Sequence, residues 1–130
     1  MAIFGIGAYY GEDVSDSFLS EGIAGPGWGV TEAPELHQFM RSLKVGDIVY
    51  IKSFSPSSPN LIVKGIGVVV DENLVTDSNL VSAGRNVRWL RKTELRIPKP
   101  IEKNNVRLNT MYEEFHPEVQ SAIIEALFDT

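Results

Sequence analysis

The chain has 130 residues, 43% of them hydrophobic and 22% charged, with a formal net charge of −5, two histidines and no cysteine. This length and balance fit a single globular domain over 1–130 with a real core, and no apolar run approaches the roughly 20 residues that a membrane helix needs. The lack of cysteine removes disulfides, thiolate zinc sites and cysteine nucleophiles together. With no basic run behind Met1 to signal secretion, a cytoplasmic protein with no membrane contact is expected.

Ala2 to Tyr10 reads as a strand, with Phe4, Ile6, Ala8 and Tyr10 on one face. Glu12 to Glu21 is compatible with a helix. Asp13 or Ser15 would cap it, Phe18 and Leu19 would dock it, and Gly22 would end it. Ile23 to Val30 is a glycine-rich loop around Trp28. Thr31 then caps a second helix with Pro34 in its first turn, and Leu36, Phe39, Met40 and Leu43 recur on it at core spacing.

A Gly46-Asp47 turn feeds a strand from Ile48 to Phe54. A Ser/Pro loop then leads to a second strand, Leu61 to Asp71, in which Gly65 and Gly67 let the sheet bend. Glu72 to Gly84 is polar and turn-rich, with Leu74, Val75, Leu80 and Val81 as isolated anchors. Asn86 to Ile97 is one more strand, stopped by Pro98 and Pro100. Asn104 to Asn109 is either a short strand or a loop. From Thr110 the tail is helical, with Met111, Phe115, Val119, Ile123 and Leu127 on its apolar stripe and a new helix starting at Pro117.

Short strands mixed with helices predict an α+β domain. It would be a small curved or closed β-barrel, mostly antiparallel, with two or three flanking helices. A doubly wound α/β fold fits poorly, because the two central strands are joined by a short loop and not by a crossover helix.

No residue set supports catalysis. His37 lacks a second histidine four residues away, and His116 before Pro117 suits capping or solvent exposure. The Gly5-x-Gly7 and Gly65-x-Gly67 pairs lack the third glycine of a dinucleotide site, and no nucleophile elbow is present. A recognition protein without metal or cofactor is therefore expected.

Charge is uneven. Arg85 to Lys99 holds six Lys/Arg and one acid, while the rest of the chain is strongly acidic; such a segment is either an anion-binding face or the solvated side of one strand. Trp28, framed by glycines, either stacks on a flat ligand or plugs one end of the barrel. Trp89 alternates with Arg88 and reads as core, with Val87, Trp89 and Arg91 on one face of the strand. Ser53 and Phe54 end a strand beside a loop, a favoured place for ligand contacts.

Gly27-Trp28-Gly29-Val30, the helix ending in Leu43, Lys44-Val45-Gly46-Asp47-Ile48-Val49-Tyr50-Ile51-Lys52-Ser53, and Val63-Lys64-Gly65-Ile66-Gly67-Val68-Val69 together resemble the EVE domains of the PUA-like superfamily, relatives of YTH and ASCH domains. The resemblance covers Gly27 to Asp71 well and the flanks only in their pattern of elements. It implies a small barrel with a cleft that holds nucleic acid, with a modified or flipped base read in the cleft and phosphates held at its rim. Carried over, Trp28, Gly29 and Val30 form one wall and Ser53 the other. Lys52, Arg85, Arg88 and Arg91 are the expected phosphate contacts. Relatives place an aromatic residue and a histidine just before that serine; Ile51 and Lys52 stand here instead.

Nucleic acid is the first expected partner. Two alternatives stay open. One is a free nucleotide or nucleoside in the same cleft. The other is a protein partner or a homo-oligomer, suggested by the acidic tail from Met111 to Thr130, which has no Lys or Arg.

Overall fold

The computed structural model describes residues 1–8, 13–26, 34–53, 60–76, 81, 83–98 and 110–128. The elements in chain order are β1 (Ile3–Gly7), α1 (Ser15–Glu21), β2 (Ile23–Ala24), α2 (Pro34–Ser42), β3 (Ile48–Ser53), β4 (Leu61–Val75), β5 (Gly84–Arg91), β6 (Leu95–Ile97), β7 (Met111–Glu113) and α3 (Pro117–Phe128). The strands form one curled, half-barrel sheet in the order β2-β5-β4-β3-β1-β7, with β6 continuing the β5 side of β4. The domain is thus α+β, and every strand pair but one is antiparallel. The exception, β1 with β3, is parallel because the intervening chain crosses over through α1, β2 and α2.

The Gly46-Asp47 turn sets that parallel pair. Gly46 takes φ 94°, open to glycine at little cost. The buried Asp47 carboxylate accepts the Lys44 N–H at 2.8 Å, closing the turn, and the Ala2 N–H at 3.0 Å, anchoring the chain into β1. One side chain therefore stitches the N-terminus to the start of β3.

Two cores lie on opposite faces of the sheet. On one face α1 and α2 cover Phe4, Ile6, Val49, Ile51, Val69, Val87 and Trp89 with Phe18, Leu36 and Met40. On the other α3 covers Ile3, Ile48, Tyr50, Val63, Ile66 and Tyr112 with Val119, Ile123 and Ala126. The long apolar strands β1 and β3 serve both faces, as strands buried on both sides do.

Several expectations hold. Gly22 ends α1 in the left-handed region, whereas its N-cap is Val14 without a side-chain cap, Asp13 accepting the Ser15 N–H at 2.9 Å one residue earlier. Leu36, Met40 and Leu43 are buried, and Phe39 packs against the same core. Trp89 is core, its indole N–H donating to the Phe18 carbonyl at 2.8 Å. His116 caps α3, its Nδ1 accepting the Glu118 N–H at 3.2 Å.

Others are corrected. Ile23 and Ala24, expected in a loop, form β2 against Asn86 and Arg85 of β5. β4 runs on to Val75, so Leu74 is an exposed strand residue and not an anchor. Met111 opens β7, paired with Ile6, and is not helical. Phe115, expected on the apolar stripe of the tail, lies between β7 and α3 and is 71% exposed. The Asn86 to Ile97 strand is two strands, and its alternation breaks at a bulge. Trp89 stands opposite Gly67 and Arg91 opposite Ile66, so Leu90 is the extra residue.

Candidate functional site

The sequence-predicted site divides among four settings. Trp28, Gly29, Val30 and Phe54, together with the Asn104 to Asn109 segment, lie outside the described residues. Of the remaining site residues, the bulge and the strand register decide the placement.

Arg85 is not at the surface. It is 3% exposed and reaches from β5 under the end of α2. Its Nη1 donates to the carbonyls of Met40, at 2.9 Å, and Leu43, and its Nη2 donates to the Asp71 carbonyl at 2.6 Å. These carbonyls include ones that the last turn of a helix leaves without an internal donor, so the guanidinium serves as a buried C-terminal cap. Its Nε has no partner among the described residues. Assigning phosphate to this arginine is therefore corrected: the cation is spent on carbonyls inside the fold.

Arg88 stands opposite Val68, which stands opposite Ile48 of the α3-side core; Arg91 stands opposite Ile66 of that same core. The Leu90 bulge thus puts Arg88 and Arg91 together on the α3 face, whereas strict alternation had grouped Arg91 with Trp89. Lys52, opposite Val63, also belongs to this face. Its stem folds over Gly7, where an added Cβ would lie 3.4 Å from the lysine Cε. Burial there lowers the Lys52 pKa from its ordinary value.

Ser53 lies on the opposite face, at the exposed end of β3. It pairs with Ile62, and Ile62 pairs with Arg96 of β6. The serine hydroxyl, a half-buried isoleucine and an exposed guanidinium therefore stand in one row across three strands. At roughly 4.8 Å per strand the ends of the row are about 10 Å apart. Arg96 was not singled out from sequence. The basic segment from Arg85 to Lys99 contains it but does not select it, because the row exists only once Ile62 is registered against both strands.

A neighbouring recess at α1 has a volume of about 270 Å³ and includes Asp13, Lys64, Lys92 and Glu94. Lys64, the extra residue of a second bulge, pairs with Asp13. That ion pair and the Ser15 hydroxyl hold the Asp13 carboxyl at a pKa of about 2.

Sequence reading also missed a buried polar bridge on the α3 face. The Tyr50 hydroxyl donates to Glu114 Oε1 at 2.6 Å and lies 2.8 Å from the Tyr112 hydroxyl. Tyr50 has one proton to give, so Tyr112 is the donor between the two rings. Glu114 Oε2 accepts the His116 N–H at 3.1 Å, and the Glu114 carbonyl accepts from Gln120 at 2.8 Å. Burial, then the nearby Tyr112 and the Glu114 charge, raise the Tyr50 pKa far above the ordinary value. The bridge links β3 and β7 to the start of α3. Gly5 makes room for it, since a Cβ there would lie 2.5 Å from the Tyr112 ring. Alternating Tyr50 and Tyr112 in separate strands is a faint signal, and only pairing through β1 makes them neighbours.

Among the described residues no cluster of His, Asp and Glu could hold a metal ion, and no helix is long and apolar enough to cross a membrane. The fold and these surfaces define an α+β domain with a curled mixed sheet, a core on each face, and an exposed serine–arginine row at one end. Residues 8–114 match the family model described as a domain of unknown function, DUF8426, and the chain belongs to that family. No curated protein matches the chain.

Proposed function

We propose that this chain is a PUA-like, EVE-like recognition module that binds nucleic acid through a modified or flipped base at the open end of its sheet. The observation that carries the reading is the row Ser53–Ile62–Arg96. A hydroxyl can hydrogen-bond a base edge, an aliphatic side chain offers an apolar surface beneath it, and a guanidinium can hold a phosphate in bidentate fashion. Trp28 is assigned as the stacking residue on the strength of the EVE resemblance, and Phe54 as a ligand contact at the strand end. Lys52, although next to Ser53 in sequence, stands on the α3 face and is not part of this row.

The overall charge of −5 limits the electrostatic contribution. The contact is therefore short, a single recognised nucleotide with one phosphate, and not an extended groove. Salt dependence reads this directly. One phosphate contact on a single strand, at Arg96, predicts a slope of log K against log salt of about −0.7, and Arg96→Ala should remove it. Titrating labelled oligonucleotides with modified and unmodified bases is the test. Preference for one modified base, with that slope, is expected; no binding to any of them at low salt would end the reading.

A further inference from the structure

We propose that the recess between α3 and the β5–β6 junction is a binding site for a small zwitterion of the amino-acid type. The recess has a volume of about 400 Å³ and is lined by Arg91, Leu95, Ala122, Glu125 and Ala126. Its size falls in the usual range for small-molecule sites, on the order of 300–1,000 Å³. The Leu90 bulge brings Arg91 to it from the sheet. Ala122, Glu125 and Ala126 follow at i, i+3 and i+4, so α3 offers them on one side. The two alanines leave the space that longer side chains would fill, and Leu95 adds an apolar wall.

The charges of the recess are opposite and unspent. Arg91 uses only its Nε, donating to the Thr93 carbonyl at 3.2 Å; its terminal nitrogens have no partner among the described residues. Glu125 is exposed, and among the described residues its carboxylate accepts no hydrogen bond. The two do not form an ion pair with one another; Lys64 and Asp13 do so elsewhere. Glu125 also sits in the last turn of α3, where unpaired carbonyls add negative potential and no basic residue offsets it.

A lone anion drawn to Arg91 would sit beside this negative end. A lone cation drawn to Glu125 would sit beside the guanidinium. A zwitterion meets both: its carboxylate fits the fork of Arg91, its ammonium fits Glu125 and the helix end, and an apolar side chain lies on Leu95 and the alanines. The site is on the α3 face and Ser53 on the other, so it stands independently of the nucleic-acid reading.

Calorimetric titration of the full chain would compare L-leucine and glycyl-L-leucine, which differ in charge separation, with N-acetyl-L-leucine and L-leucine amide, which each lack one charge. At least one zwitterion is expected to bind about tenfold or more tighter than both singly charged analogues. Arg91→Gln and Glu125→Gln should each reduce that affinity about tenfold while thermal melting shows both variants folded. Oligonucleotide binding should be unchanged in Glu125→Gln. Absence of saturable binding by either zwitterion, equal binding of a singly charged analogue, or affinity untouched by both substitutions would overturn the proposal.

Discussion

Arg85 and Arg96 belong to one basic stretch of sequence, yet the fold treats them in opposite ways. Arg85 enters β5 beside the end of α2, is buried, and gives its protons to the carbonyls of Met40, Leu43 and Asp71. Arg96 lies in β6, is exposed, and shares a row with Ser53. The difference teaches that a run of cations is not a surface. A guanidinium near orphaned helix carbonyls is drawn inward, because those carbonyls need donors that water cannot reach. One on an exposed strand face keeps its hydration and stays available to a ligand.

The sharpest way to break this comparison is to remove each arginine and measure unfolding in denaturant. Arg85→Met should cost about 3 kcal/mol, since it strips charge-assisted hydrogen bonds from buried carbonyls. Arg96→Ala should change stability by less than about 0.5 kcal/mol, as surface substitutions do, while weakening oligonucleotide binding. Equal stability losses would erase the distinction between an internal cap and an external contact.

Gly5→Ala extends the comparison to the α3 face. Its Cβ would meet the Tyr112 ring at 2.5 Å and the Tyr50 ring at 2.8 Å, so it should cost about 2 kcal/mol. Tyr50→Phe keeps the packing but leaves Glu114 Oε1 without its 2.6 Å donor, and should cost about 1–2 kcal/mol by the same assay. A neutral result for Tyr50→Phe would mean that the bridge is not needed to hold β7 and α3 in place.

The smallest effect concerns Asp13, whose ion pair with Lys64 is partly solvated. Its carboxyl is held near a pKa of about 2, below the reference value of 3.8. A depressed carboxyl pKa stabilises the fold above the unfolded value, and that contribution fades as pH falls from about 4 toward 2. Asp13→Asn should therefore lower stability at neutral pH by less than about 1 kcal/mol. The gap between wild type and variant should close near pH 2 in acid unfolding curves; a gap of constant size would show that the pair is not its source.

Much of this protein was legible in its residues because the relevant interactions are local. Gly22 and Gly46 sit where only a flexible backbone turns easily, Pro34 and Pro117 open helices, and the spacing of Leu36, Met40 and Leu43 marks a buried stripe. Alternation likewise placed Trp89 inside and Arg88 outside. The class, α+β with a curved and mainly antiparallel sheet, followed from these signals. Tertiary structure alone decided which charges meet which surfaces. The Leu90 bulge moved Arg91 to the α3 face, Ile62 joined Ser53 to Arg96, β1 brought Tyr50 beside Tyr112, and the end of α2 took Arg85. Each of these depends on partners distant in sequence. A one-residue shift in register sends a side chain to the other face of a sheet, so no local pattern could have stated them.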